Sequence, residues 1–256
     1  FSSIKQAQKI LNFKKAGHAG TLDPLAEGIL PIAVGSATKM IAFIQDTKKE
    51  YEFAIKWGEQ TSTDDREGKI ISISNFIPNC DQINKKIKKY KGLIKQKPPK
   101  ASAVKINGIR AYNLLRTNKK FETNERIVEI FDAKHLHQIK NNISLFKIEC
   151  GKGFYIRSFA RDLGDDLNTK AHVYSLKRTK VGKFNLNNAI LLDDLLKIRQ
   201  MALGNRGFHS TVSVLDDILA IEINDEKIIR DISHGKFINF KNLPEDLKTI
   251  DNKLYF

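Results

Sequence analysis

Cysteine is nearly absent from this 256-residue chain. Its two residues, Cys80 and Cys150, cannot build a disulfide framework, and no cysteine cluster has zinc-ligand spacing. A reducing, cytoplasmic compartment is the expectation from that usage. Long apolar runs are also missing. None approaches the roughly 18–20 residues that cross a bilayer, and the N-terminus shows neither a signal-peptide nor a transit-peptide pattern. The chain opens on Phe1 rather than Met, so Phe1 is not expected to be the start of the gene product. A Gly-rich phosphate loop, a dinucleotide fingerprint and a zinc-protease His pair are each absent. Acidic residues are scarce: 29 Asp+Glu stand against 44 Lys+Arg, a formal charge of +15. With 41% hydrophobic residues the chain is neither disordered nor collagen-like, and its length suits one large domain or a main domain with a small appendage.

The positive charge is concentrated. Residues 80–126 hold 14 Lys/Arg against 3 acids, whereas residues 214–256 hold 6 against 9. A solvated basic face and a phosphate-binding stripe both fit such a cluster, the second because each neutralised phosphate releases condensed counterions.

Periodicity gives the elements. Ser2-Ser3 ahead of Ile4, Ala7, Ile10 and Leu11 reads as a capped amphipathic helix. Residues 17–31, rich in Gly, His and Pro, read as a loop with short extended pieces. Ser36 is placed as the cap of a helix through Met40, Ile41 and Ile44. Tyr51, Phe53, Ile55 and Trp57 share one face of a half-buried strand, with Glu52 and Lys56 on the other. Residues 59–68 form a polar turn or loop, residues 81–91 a Lys-rich helix. Ile127–Ile139 and Ile143–Cys150 make a hairpin, Ile156–Leu167 a helix with Phe159, Leu163 and Leu167 inward, and His172–Val181 a strand. The mixture has no βαβ rhythm, which favours an α+β fold. A boundary is expected near 205–215.

The segment Gly17-His18-Ala19-Gly20-Thr21-Leu22-Asp23-Pro24-Leu25-Ala26-Glu27-Gly28 is the most informative. Its glycines permit positive φ and close backbone approach, and Pro24 biases Asp23 away from helix, leaving the carboxylate at a bend. Local chemistry alone reads Asp23 as a turn or cap residue and His18 as a structural hydrogen-bonder. The whole segment, however, closely resembles the signature of the TruB family of tRNA pseudouridine synthases. So do its continuation to Gly35, Ala37-Thr38-Lys39, Lys49-Glu50-Tyr51, Gly58, Asp64-Asp65, Gly68, Pro98-Pro99 and Ser102-Ala103-Val104-Lys105. Gly108, Tyr112, Gly151 to Ser158, His172 to Leu176 and Arg178 complete it. The resemblance is colinear over roughly residues 1–200.

The resemblance implies a pseudouridine-synthase-type α+β fold, a mixed and mostly antiparallel sheet flanked by helices, with a central RNA-binding cleft. It implies a catalytic domain over 1–205, with 80–126 as a basic RNA-gripping insertion. Residues 206–256 would be a short C-terminal region, a truncated PUA-like module that 214–240 begins. The implied activity is isomerisation of uridine to pseudouridine in the T-arm of tRNA, position 55, on a flipped base. Asp23 matches the catalytic carboxylate, Tyr51 the tyrosine that stacks on the base and is placed for proton transfer at C5, and Arg157 the basic partner of the carboxylate. His18, Tyr155 and Leu176 match positions that line the pocket or contact the nucleotide. No metal or other cofactor is expected, and tRNA is the partner, bound by a monomer.

Ala19 stands where the family often has Thr or Ser, and Glu27 where Thr is more usual; the family's N-terminal Lys-Pro strand would lie upstream of Phe1. Two other readings compete. A non-catalytic RNA-binding or tRNA-folding protein could keep the same scaffold, but it need not keep Asp23, Tyr51 and Arg157 together. A metal-dependent phosphotransferase using Asp64-Asp65 lacks a third ligand, so that pair reads as a turn with caps. Lys85, Lys86, Lys88 and Lys89 are expected to grip RNA phosphates.

Overall fold

The structure, a computed structural model, describes residues 2–117, 120–195, 197, 207–211, 214, 223 and 225–237. It divides into two compact units, Phe1–Thr211 and Val212–Phe256. The first unit begins with α1 (Ser2–Leu11), β1 (Ala16–His18), β2 (Ala26–Gly28) and β3 (Ile32–Val34). A 3-10 turn, Gly35–Met40, runs into α2 (Ile41–Asp46), and β4 (Lys49–Trp57), β5 (Glu59–Thr61) and β6 (Ile70–Ile73) follow. Next come α3 (Cys80–Ile87), the 3-10 turn Lys88–Tyr90, β7 (Gly92–Gln96), β8 (Lys105–Ile106), β9 (Ile109–Arg110) and α4 (Ala111–Arg116). The unit closes with β10 (Arg126–Lys140), β11 (Ile143–Cys150), α5 (Ile156–Asp166), β12 (Ala171–Val181) and β13 (Phe184–Asn185).

The main sheet has seven strands in the order β13-β12-β4-β11-β10-β7, with β2 added beside β12. Every pairing is antiparallel except that of β2 with β12. This is the expected α+β architecture. The alternation in β4 buries Phe53, Ile55 and Trp57 in one core cluster with Ile83 and Ile87 of α3 and Phe159 and Leu163 of α5. Phe53 stacks on Phe146 with centroids 5.6 Å apart and meets Phe159 edge-on at 5.9 Å. The one polar atom of Trp57 is satisfied: its indole N–H donates to Ser144 Oγ at 3.0 Å.

Several local expectations change. Gly35–Met40 has Val34 as its N-cap with no side-chain bond, so Ser36 is not the cap. The polar stretch 59–68 is not wholly a loop, since Glu59–Thr61 pairs with Ile70–Ile73 as a short hairpin. Nor is 80–126 one excursion from the fold. A reciprocal capping box between Asn79 and Gln82 starts α3, Ile83 and Ile87 lie in the core, and β7 pairs with β10. The described residues between Gln96 and Arg126 take no part in the main sheet.

In the second unit the helix α6 (Glu226–Ser233) is capped by Asp225, which accepts from the Lys227 and Ile228 N–H groups at 2.8 and 3.0 Å. Most other residues of the expected PUA-like module lie outside the described residues. Among the described residues no helix is long and apolar enough to cross a membrane.

Candidate active site

Asp23 sits between β1 and β2, in the loop that Pro24 bends. Arg157 is the second residue of α5, and the helix start aims its side chain at that loop. The guanidinium donates from Nε to Asp23 Oδ2 at 2.8 Å and from Nη2 to Oδ1 at 2.7 Å. Such a two-point fork fixes both distance and plane of the carboxylate. The Arg157 side chain is 4% exposed and that of Asp23 28%, so the cation is sealed while the acid stays reachable from solvent.

The remaining Arg157 group, Nη1, donates to the carbonyls of Thr63 at 3.2 Å and Ala101 at 3.1 Å, and stands 3.5 Å from Asp65 Oδ2. Asp65 is itself held by Thr63 Oγ1 and by the Glu67 N–H at 3.0 Å. Asp64 pairs with Arg161, one turn along α5, at 3.1 Å, and burial pushes its pKa up against that cation's pull. The two acids therefore do more than cap a turn. Asp65 accepts within its own turn as expected, but both carboxylates are buried and face the arginines of α5. No local signal reveals this, because the arginines are supplied by a distant helix.

Tyr51 projects from β4, packed against the core. Burial pushes its phenol up to about 12, opposed by the Arg178 guanidinium beside it and reinforced by the Asp23 charge. Tyr155 is the N-cap residue of α5. Its backbone is clamped by Gln96, whose amide donates to Tyr155 O at 3.1 Å while its carbonyl accepts the Tyr155 N–H at 2.8 Å. Burial raises the Tyr155 phenol too, and the charges of Arg126, Asp23 and Arg157 all reach it. Asp23, Tyr51, Tyr155 and Arg157 are thus brought together. His18 ends β1, and its Nδ1 is buried with no hydrogen-bond partner among the described residues. Leu176 is 5% exposed and belongs to the core cluster, on the part of β12 that pairs with Ala26 of β2. Sequence reasoning does not single out Asp65, Gln96 or Arg178 as site residues. A cavity of about 660 Å³ lies elsewhere, lined by Lys89, Lys95, Lys97, Lys100 and Arg161 among others.

Comparison with known proteins bears on the family of the chain. The model of the TruB family pseudouridylate synthase N-terminal domain matches residues 8–156, and that of the tRNA pseudouridylate synthase B C-terminal domain matches residues 157–220. The chain is 42% identical over 244 residues to tRNA pseudouridine synthase B of Ehrlichia ruminantium, covering 94% of this chain and 82% of that protein. It is 40% identical over 253 residues to the protein of the same name from Caulobacter vibrioides, covering 99% and 81%. Among solved structures, a chain of a Cbf5-Nop10-Gar1 complex superposes with a TM-score of 0.60 at 26% identity. That match covers 80% of this chain and 53%, about half, of the other.

Proposed function

The chain belongs to the TruB family of pseudouridylate synthases, and we propose that it converts uridine to pseudouridine in the T-arm of tRNA, at position 55, with Asp23 as the catalytic carboxylate. The observation that carries this reading is the pairing of Asp23 with Arg157: a solvent-reachable acid gripped through both oxygens by a buried guanidinium. The isomerisation breaks the N1–C1′ bond, turns the uracil, and joins C5 to C1′; the C5 proton is lost and N1 gains one. No atoms are added and no electrons are exchanged with a second substrate.

The carboxylate serves either as a nucleophile, at C6 of the uracil or at C1′ of the sugar, or as the base that eliminates to a glycal. Each route needs an oriented acid at the glycosidic bond, and the Arg157 fork supplies the orientation. Tyr51 offers its ring to the loosened uracil, and Tyr155 and Leu176 complete the wall. At neutral pH the Tyr51 phenol is protonated, so its resting form is a hydrogen-bond donor. Its part in moving the C5 proton starts from that form.

The target nucleotide has to leave its stack, at a cost of a few kcal/mol that pocket and backbone contacts offset. His18, at the end of the strand that leads into the Asp23 loop, has a buried Nδ1 without a hydrogen-bond partner among the described residues and is the candidate contact for the nucleotide. The exposed Lys85, Lys88 and Lys89 suit the phosphates of the stem. Action as a monomer on tRNA is part of this proposal. The free thiols Cys80 and Cys150 suit the cytoplasm.

The test is Asp23→Asn on an unmodified T-arm stem-loop, followed by tritium release from uracil C5. Wild-type protein is expected to release tritium and the variant none, with RNA binding retained. Full release by the variant overturns the assignment of Asp23.

A further inference from the structure

Arg178 takes no part in the chemistry proposed for Asp23 and Tyr51, yet it is one of the largest fully buried side chains, 2% exposed. Its Nε donates to the carbonyl of Ile29 at 2.8 Å and its Nη2 to that of Gly20 at 3.0 Å. Its own carbonyl accepts the Ile29 N–H at 2.8 Å. Gly20 opens the loop that holds Asp23, and Ile29 follows β2, the strand that the loop leads into. One guanidinium therefore ties the chain on both sides of Asp23.

The backbone is fitted to this arrangement. In the parallel pairing of β2 with β12, Gly28 lies opposite Arg178. Gly28 has φ +101°, and a Cβ there would run into the Arg178 carbonyl, so only glycine lets the loop return so close. On its other side β12 pairs with β4, where Tyr51 is the residue opposite Arg178. The guanidinium reaches the phenol as well, favouring its ionised form against the effect of burial. Among the described residues no carboxylate lies within ion-pair distance of Arg178. Burying a charge that carbonyls alone satisfy is costly, and a neutral amide would tie a loop without that cost. A retained positive charge facing Tyr51 points to a second task.

Resting on the pseudouridine-synthase reading above, we propose that Arg178 is a positioning residue for the isomerisation: it holds the Asp23 loop and the Tyr51 phenol in fixed relation through one guanidinium. It does not contact the nucleotide. Its effect passes through the placement of Asp23 and the charge environment of Tyr51.

The experiment compares wild type with Arg178→Lys and Arg178→Gln, in single-turnover assays at saturating T-arm stem-loop, with RNA affinity and thermal unfolding measured on the same preparations. Misplacing a reacting group by about 1 Å costs on the order of 10²-fold in rate, and a loss of that size is expected for both variants. The dissociation constant for RNA should stay within about twofold of wild type, because ground-state binding is untouched. In a Tyr51→Phe background the loss caused by Arg178→Lys should shrink, since one of its two routes is already gone. A near-wild-type rate in either folded variant overturns the proposal. So does a loss matched by impaired folding or impaired RNA binding, or one of equal size with and without the Tyr51 hydroxyl. Failure of wild-type protein to convert a stem-loop that it binds would instead refute the underlying function, a separate and recognisable result.

Discussion

Asp65 Oδ2 stands 3.5 Å from Arg157 Nη1, on the side of the guanidinium away from Asp23. The arginine thus lies between two carboxylates, one sealed with it and one open to solvent. The sealed acid neutralises part of the cation's charge and helps fix its plane, which sets how strongly and in what direction Asp23 is held.

Replacing Asp65 by Asn keeps the oxygen that accepts from the Glu67 N–H but removes the charge facing Arg157. The single-turnover rate should fall about tenfold, equivalent to roughly 1.4 kcal/mol of activation free energy, with RNA affinity unchanged. An unaltered rate would mean that the inner acid serves the turn alone.

Arg157→Lys is a harsher change. An ammonium cannot engage both Asp23 oxygens in one plane, and it leaves the Thr63 and Ala101 carbonyls under-satisfied. The expected loss of rate is about 10²–10³-fold at saturating RNA, the range seen when one preorganised donor is withdrawn from a reaction centre. Rates followed by tritium release, with binding measured separately, would show whether the loss lies in the chemical step.

Much of the frame can be read from residue order. The alternation in Lys49–Trp57, the hairpin of Arg126–Lys140 with Ile143–Cys150 and the inward stripe of Ile156–Asp166 each follow from side-chain period. The hairpin of Glu59–Thr61 with Ile70–Ile73 does not, because a polar run pairing with an exposed apolar one lacks the half-buried alternation that marks a strand. The site divides in the same way. Gly and Pro signal an irregular loop around Asp23, but on that alone it reads as a turn residue; only the resemblance of the whole 17–28 segment to the family signature singles it out. By contrast, Gln96, Asp65 and Arg178 act through partners brought up by other elements, such as the backbone of Tyr155 for Gln96 and the carbonyls of Gly20 and Ile29 for Arg178. Their neighbours in the sequence give no sign of those partners.

The lysines of the α3 region are not equivalent. Lys85, Lys88 and Lys89 are exposed, whereas Lys86 is partly committed to Asp166 at 3.5 Å. Alanine at the three exposed positions should weaken RNA binding and flatten the plot of log affinity against log salt, by up to about 0.9 for each phosphate no longer neutralised. Lys86→Ala should change that slope little. An unchanged slope in the triple variant would show that this helix faces away from the RNA.

The two thiols should differ sharply in reactivity. Cys150 is fully buried and its thiol is pushed up to about 12 by burial, whereas Cys80 is only partly covered. A thiol-specific reagent at mildly alkaline pH should therefore modify Cys80 in the native protein and reach Cys150 only after unfolding, since the thiolate is the reacting form. Rapid modification of both without denaturant would contradict the packing between β11 and β4.

The phenol of the half-buried Tyr51 carries a stability signature with a definite sign. Its pKa is about 12 in the folded chain against about 10 for an exposed tyrosine. The folded state therefore keeps its proton over a range in which the unfolded state has lost it. Unfolding free energy must fall with pH where the unfolded chain binds fewer protons. The contribution is fully present below pH ~10 and is lost as pH rises through ~12, by about 2–3 kcal/mol in all. Tyr90 and Cys150, also raised by burial, steepen the same limb, so only a difference measurement isolates Tyr51. Denaturant unfolding of wild type and Tyr51→Phe between pH 8 and 12 should show the variant losing less stability as alkali rises. Parallel curves would place the phenol in contact with solvent, and with it the ring that is meant to hold the loosened uracil.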